Sequence, residues 1–178
     1  MTEPSYDRTS ITLHWLSAVL IALLWLSAQV IDWFPPQGGR VAMRSVHITM
    51  GVCFGLVLLT RIVWRGGFGR RLPAAETGVL HLAGEVVHYA LYGLMIAEVG
   101  LGLTNVWVRG DSIFGLFSIP AYDAADKALR RQVGGLHALV ANWILIVAGL
   151  HAAAALFHHY VWRDSVLRRM LPGFRGGV

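Results

Sequence analysis

Seven of the eight histidines in this 178-residue chain fall within apolar stretches or close to their ends: His14, His47, His81, His88, His137, His151 and His158. Ionisable groups inside a bilayer are expensive, and they usually line a bundle interior where something uses them. A single membrane histidine reads first as an interhelical hydrogen bond or an interfacial residue. The spacing says more. His137 and His151 stand fourteen residues apart in a run free of charge from Gln132 to Trp162. On one helix that is about 40° short of four full turns, so both project from the same face. Along the axis they are about 21 Å apart, one toward each side of a membrane. Neutral imidazoles so placed could relay protons, bind a metal ion, or ligate the iron of a planar macrocycle from both faces. Proton or zinc transport would more naturally set histidines and carboxylates one turn apart near the midplane of a single helix. The sequence does not do that.

The elements that must position these residues follow from composition. The chain is 56% hydrophobic and 14% charged, with a mean hydropathy of +0.57, whereas a soluble domain carries charge on roughly a quarter of its residues. Four membrane helices of about 20 residues each would use nearly all of it. They are expected over about 10–33, 44–65, 77–108 and 130–162, as an antiparallel up-and-down bundle forming one all-α integral membrane domain over 1–178. The first apolar run ends in Asp32-Trp33-Phe34-Pro35-Pro36, an aromatic belt and helix stop, and so reads as a span and not as a leader. The third span is the least apolar, with His81, Glu85, His88 and Glu98. The longest connection, from Arg109 to Ala128, carries Phe114, Leu116 and Phe117 and is expected to lie against the membrane surface.

The net charge of +5 and pI near 10.0 do not point to nucleic acid, because the basic residues sit between apolar runs as topology and anion signals. The lone Cys53 excludes disulfide scaffolds, zinc ribbons, iron–sulfur clusters and covalent c-type haem. With an even number of spans, both termini share a side. Nine Lys/Arg lie there (Arg8, Arg61, Arg65, Arg70, Arg71, Arg163, Arg168, Arg169 and Arg175) against six opposite (Arg40, Arg44, Arg109, Lys127, Arg130 and Arg131). The positive-inside rule then favours cytoplasmic termini.

This topology pairs the histidines by depth. His14 opens the first span on the side where the fourth, carrying His151, leaves; His47 and His137 both open their spans on the opposite side. Two imidazole pairs at matched depth, each joining different helices, are what two bis-histidine haems need. Gly51, Gly55, Gly134, Gly135, Gly149 and Ala152 to Ala155 flank these positions and could give the ring room. Arg44 and Arg130, on the faces of His47 and His137, are candidates for the propionates of that haem; Arg8 and Arg61 are weaker ones for the other.

Longer motifs carry a family likeness. Leu13-His14-Trp15, Arg44-Ser45-Val46-His47 with Gly51, Arg61-Ile62-Val63-Trp64-Arg65 and His88-Tyr89-Ala90-Leu91-Tyr92 are joined by the run from Gly149-Leu150-His151 to His158-His159-Tyr160. That run continues through Trp162-Arg163-Asp164 to Met170-Leu171-Pro172. Over essentially the whole chain the sequence resembles the bacterial cytochrome b561 family, and within it the superoxide oxidase (superoxide:ubiquinone oxidoreductase) branch. The resemblance implies two haem b groups held by His14, His47, His137 and His151 in the bacterial inner membrane. It also implies oxidation of superoxide at the periplasmic face and reduction of ubiquinone, with no protein partner required. Glu98 departs from the family pattern, in which proline or an apolar residue is expected.

On that reading, His158, His159, Trp162 and Arg163, beyond His151, are quinone-binding candidates. His81 and His88 could contribute there, or form interhelical hydrogen bonds. Arg40, Arg44, Lys127, Arg130 and Arg131 could steer the superoxide anion. Two alternatives stay open. One is a cytochrome b subunit that oxidises quinol and passes electrons to a redox partner. The other is a haem-free transporter or scaffold that uses these histidines for protons or metal.

Overall fold

A computed structural model describes residues 5–36, 38–75, 77–123 and 125–171. Pro172 of the C-terminal motif and Arg175 of the basic tail lie outside the described residues. Four long helices dominate: α1 (Arg8–Val30), α2 (Gly39–Gly67), α3 (Gly78–Arg109) and α4 (Lys127–Phe157). Each is long and apolar enough to cross a membrane, which makes the molecule the four-helix membrane bundle that composition calls for.

Helix boundaries follow local chemistry. Asp7 caps α1, its carboxylate accepting from Ser10 N at 2.9 Å and Ser10 Oγ at 2.7 Å. The helix tightens into a 3₁₀ turn at Ile31–Trp33 and stops before Pro35-Pro36, whose rings cannot continue the ladder. The second helix starts at Gly39, five residues ahead of the expected 44, because no helix breaker stands between Gly39 and Arg44. The fourth starts at Lys127, where Asp126 accepts from Leu129 N at 2.8 Å and satisfies a donor that the helix start leaves unpaired. It ends in a π turn, His158–Trp162, closed by Arg163 in the left-handed region at φ 56°.

Packing is strongest within two hairpins, α1 with α2 and α3 with α4, which meet along a thinner α2–α3 seam; neither α1 nor α2 packs closely on α4. A plug of Phe54, Leu58, Met95 and Ile144 fills the bundle centre, with Leu20, Leu24 and Val140 against it. The bundle is otherwise inverted relative to a soluble one. Among the described residues the two most completely buried side chains are Ser17 and Ser45, while Val19, Leu23, Leu56, Leu59, Ile146 and Leu150 face outward. Lipid is as apolar as leucine, so small residues mark helix contacts and large ones face the acyl chains.

The α3–α4 connection forms a small hairpin, β1 (Ser112–Ile113) antiparallel to β2 (Phe117–Ser118), with Ser112 opposite Ser118. Leu116 and Phe117 at its tip are exposed. Ser45 of α2 pins it: its Oγ lies 2.7 Å from Val41 O and 3.2 Å from Ser112 O, and accepts from Phe114 N at 2.8 Å. Gly110 turns the chain out of α3 at φ 67°, with Ala121 so close that a Cβ there would lie 2.9 Å from Ala121 Cβ. At the other end of the bundle, the C-terminal segment folds back over α1. Trp15 Nε1 donates to Met170 O at 2.7 Å, and Tyr6 N donates to Arg169 O at 3.2 Å.

Candidate functional site

The structure brings together the two histidine pairs that up-and-down topology demands. His14 of α1 faces His151 of α4 with ring centroids 6.2 Å apart and planes at 73°. His47 of α2 faces His137 of α4, also at 6.2 Å, with planes at 89°. Both pairs span the opening between the first hairpin and α4. Ile144, seven residues from each α4 histidine, puts the apolar plug between the two levels. Trp25 Nε1 donates to Asn142 Oδ1 at 3.2 Å and ties α1 to α4 near mid-height.

Three of these imidazoles have a named neighbour at Nδ1. At His47 it is Ser27 Oγ, 2.9 Å away; the Ser27 hydroxyl itself donates to Leu24 O at 2.8 Å, so it receives the His47 Nδ1–H. At His137 it is Glu98 Oε1 at 3.1 Å. A proton on Nδ1 leaves Nε2 as a lone-pair donor, the arrangement that ligating histidines use. At His14 the neighbour is Arg61, whose guanidinium nitrogen lies 2.9 Å from Nδ1. Ser27 and Glu98 were not singled out from sequence as partners of these rings.

The third helix supplies neither member of either pair but attends both. His88 packs on His151 with centroids 5.2 Å apart, and Glu98 reaches His137 at the opposite level. Gly102 lets the helices close there, since a Cβ on it would sit 3.3 Å from His137 Cε1. His81 stands apart near the helix start, 3.7 Å from Glu85 and half-buried. The spacing of Glu98, Gly102 and Asn105, one or two turns apart, was the available sign of a polar face on this helix. Among the flanking glycines, Gly55 packs against Val99, where a Cβ would be 3.3 Å away, whereas Gly135 and Gly149 have no atom that near.

The two ends differ. Beside His14 lies a cleft of about 420 Å³ lined by Arg61, Arg65, Arg70, Trp64, Tyr89 and Tyr92. The Arg61 guanidinium lies 5.4 Å above the Tyr92 ring, within cation–π range. Asp7 braces the cleft rim, accepting from Trp64 Nε1 and Arg70 N, both at 3.0 Å. Burial opposes its ionisation, but these bonds and those from Ser10 prevail and hold its pKa at about 2.

At the end of α4, His158 Nδ1 meets Asp164 Oδ2 at 2.5 Å, and its ring packs edge-on against Trp162 at 4.6 Å. The Asp164 carboxyl lies below the usual range: burial works against this, while Val166 N–H and His158 outweigh it. His159 instead packs against Tyr160 at 4.8 Å. Arg163 takes the left-handed turn after Trp162.

At the far end, the basic residues divide into paired and exposed. Arg40 lies 3.5 Å from Asp32, and Arg44 and Arg109 lie 3.1 and 3.6 Å from the buried Asp111. The propionate candidate Arg44 thus already shares a carboxylate. Arg130 is half-buried, while Lys127 and Arg131 are exposed.

Comparison with known proteins supplies the family. Residues 5–173 match prokaryotic cytochrome b561. The chain is 33% identical to a probable superoxide oxidase CybB of Yersinia pestis, over 96% of this chain and 98% of that protein. It is 25% identical to cytochrome b561 homolog 1 of Escherichia coli, over 94% and 97% of the two chains. With cytochrome b562 of Cereibacter sphaeroides it shares 29% identity over 95% and 96%. The chain therefore belongs to the prokaryotic cytochrome b561 family, bacterial membrane oxidoreductases that transfer electrons with b-type haem.

Proposed function

We propose that the protein holds two b haems, one between His14 and His151 and one between His47 and His137, and moves electrons from superoxide to ubiquinone across the bacterial inner membrane. The observation that carries this is the repeated 6.2 Å separation. A metal–imidazole bond is about 2 Å long, and the ring centre lies about 1 Å beyond the nitrogen, so one iron between two imidazoles sets their centroids about 6 Å apart. The His88–His151 distance of 5.2 Å is too short for that role. At the loop end Ser27 holds His47 in the tautomer that frees Nε2, while Glu98 lies 3.1 Å from His137 Nδ1 without a hydrogen bond between them. At His14 the contact is of the other kind. Arg61 has only donors, so its N–H at 2.9 Å is given to Nδ1, and ligation through Nε2 requires that proton arrangement to change. Arg61, lining the cleft, can then serve an anionic propionate.

Bound haem supplies a one-electron iron couple at each level. The reaction balances as two superoxide anions giving two dioxygen molecules and two electrons, and ubiquinone taking two electrons and two protons to become ubiquinol. The chain's part in the first half is access and attraction. Lys127 and Arg131 are exposed at the His47/His137 end and can draw in a small anion, while Arg40 and Arg44 are tied to acidic partners. Its part in the second half is proton delivery. His158, oriented by Asp164 and flanked by Trp162, stands two turns beyond His151 and can hydrogen-bond a quinone carbonyl and pass it a proton. With the termini cytoplasmic, as the nine-to-six basic bias favours, superoxide is met in the periplasm.

The test combines haem quantitation with stopped-flow spectroscopy. Two b haems per chain, reduced rapidly by superoxide and reoxidised by ubiquinone, support the reading. A colourless protein or a single haem refutes the ligand pairing. Reduction by quinol but not by superoxide reverses the direction.

A further inference from the structure

The basic cleft at the terminus side of the bundle is larger than its contact with Arg61 requires. Its volume of about 420 Å³ falls in the range of about 300–1,000 Å³ typical of small-molecule sites. The start of α1, the end of α2 with the loop to Leu72, and α3 at Tyr89 and Tyr92 wall it. Arg61, Arg65, Arg70 and Arg71 line it, and among the described residues no aspartate or glutamate does. Asp7 stands at the rim, but the four donors it accepts are Ser10 N, Ser10 Oγ, Trp64 Nε1 and Arg70 N, none of them a guanidinium. Tyr92 also lines the cleft, and its hydroxyl is buried with no hydrogen-bond partner among the described residues. The walls are braced from outside. Met170, which closes one edge, accepts from Trp15 Nε1 at 2.7 Å, and Arg169 donates to Pro73 O at 2.9 Å.

Cations gathered without a carboxylate repel one another, and an anion seated among them relieves that repulsion. A neighbouring feature says what kind of anion. Trp64 also belongs to an apolar groove of about 380 Å³ on α2, lined with it by Leu59, Val63 and Phe68, all three of them exposed. A basic cleft and an apolar groove that share one side chain suit a ligand with a phosphate at one end and hydrocarbon at the other. We propose that this corner binds one anionic phospholipid. Its phosphate is held by Arg65, Arg70, Arg71 and the Tyr92 hydroxyl, and an acyl chain lies along Leu59, Val63 and Phe68. Basic pockets between membrane helices take anionic headgroups in this way. A zwitterionic headgroup carries its own cation into the arginine cluster and binds less well. Free phosphate satisfies the arginines but leaves the groove uncovered. The bound lipid joins α2 and its loop to Tyr92 of α3, across the thin α2–α3 seam. Neither His14 nor His151 lines the cleft, so this site stands apart from the haem assignment.

Native mass spectrometry of the purified protein in detergent tests this, titrating phosphatidylglycerol against phosphatidylcholine of the same chain length. One phosphatidylglycerol per chain is expected, bound at least tenfold more tightly than phosphatidylcholine. Arg65→Gln with Arg71→Gln should weaken it by roughly fivefold for each charge removed. Tyr92→Phe, which deletes only the hydroxyl, should weaken it severalfold. Lys127→Gln with Arg131→Gln removes the same charge from the opposite end and should leave lipid binding at the wild-type level. Should the double arginine variant fail to fold, Tyr92→Phe and the comparison of headgroups still decide. Equal retention of the two lipids, or equal loss in the two double variants, overturns the proposal. Displacement of the lipid by an equal concentration of inorganic phosphate assigns the cleft to free phosphate and overturns the role of the groove.

Discussion

His158 and Asp164 meet at 2.5 Å across the π turn that ends α4. Six residues separate them, and the left-handed Arg163 reverses the chain so that they can touch. The pair has the geometry of a base held by its orienting acid, with Trp162 fixing the ring from the side.

Replacing His158 with Ala should therefore leave both haem spectra intact and slow ubiquinone reduction by roughly 10²-fold, the usual scale for a lost proton donor. Asp164→Asn should give a smaller loss, because the ring remains but its orientation loosens. The carboxyl is held below its usual range, so it remains an ionised acceptor for the ring through neutral pH. Quinone kinetics unchanged in His158→Ala would remove it from the mechanism.

His137→Ala should lose the haem of its own level and keep the other, giving about half the wild-type haem per chain. The two pairs share only α4, and the plug of Phe54, Met95 and Ile144 separates them. Pyridine haemochrome analysis of purified protein reads this directly. A variant that retains both haems, or loses both while still folded, contradicts the pairing.

The juxtaposition of His14 with His151 and of His47 with His137 was legible in the sequence because it needs only helix order and depth. Fourteen residues on one helix fix two levels, and antiparallel neighbours supply the rest. The contacts around the rings were harder to read. Glu98 meeting His137 depends on how α3 is rotated about its axis, which the spacing of Glu98, Gly102 and Asn105 signals but does not fix. The Ser27–His47 bond required knowing which serines face inward, and serines serve equally as packing residues in membrane helices. The early start of α2 at Gly39 came from the absence of a breaker, a weaker sign than its presence. The π turn at His158–Trp162 has no compositional marker at all.

Ser45→Ala should destabilise the protein by about 1–3 kcal/mol. The serine is 0% exposed, and its removal leaves Phe114 N without its acceptor in a partly buried corner. Every kcal/mol corresponds to about 2–4 °C in a chain of this size, measurable by thermal unfolding in detergent. The hairpin it pins should also become easier to cleave by protease between Ser112 and Ser118. Haem content should stay at the wild-type level, because Ser45 touches the loop and not the rings.

Asp7 offers a stability test with a defined pH window. Its two oxygens take four donors, from Ser10 N, Ser10 Oγ, Trp64 Nε1 and Arg70 N, and so join the start of α1 to the end of α2 and the following loop. Asp7→Ala should cost about 1 kcal/mol as a lost helix cap, and more if the loop loosens with it. The folded pKa is depressed from 3.8 to about 2, so the unfolded chain binds the proton more readily. The stabilisation is therefore fully present above the unfolded value and declines as pH falls through 3.8 toward about 2. Asp7→Asn, which cannot ionise, should flatten that acid limb and lower stability at neutral pH. Trp64, held by the same carboxylate, reports the change through its fluorescence. An acid limb identical in wild type and Asp7→Asn would show that this carboxylate does not govern it.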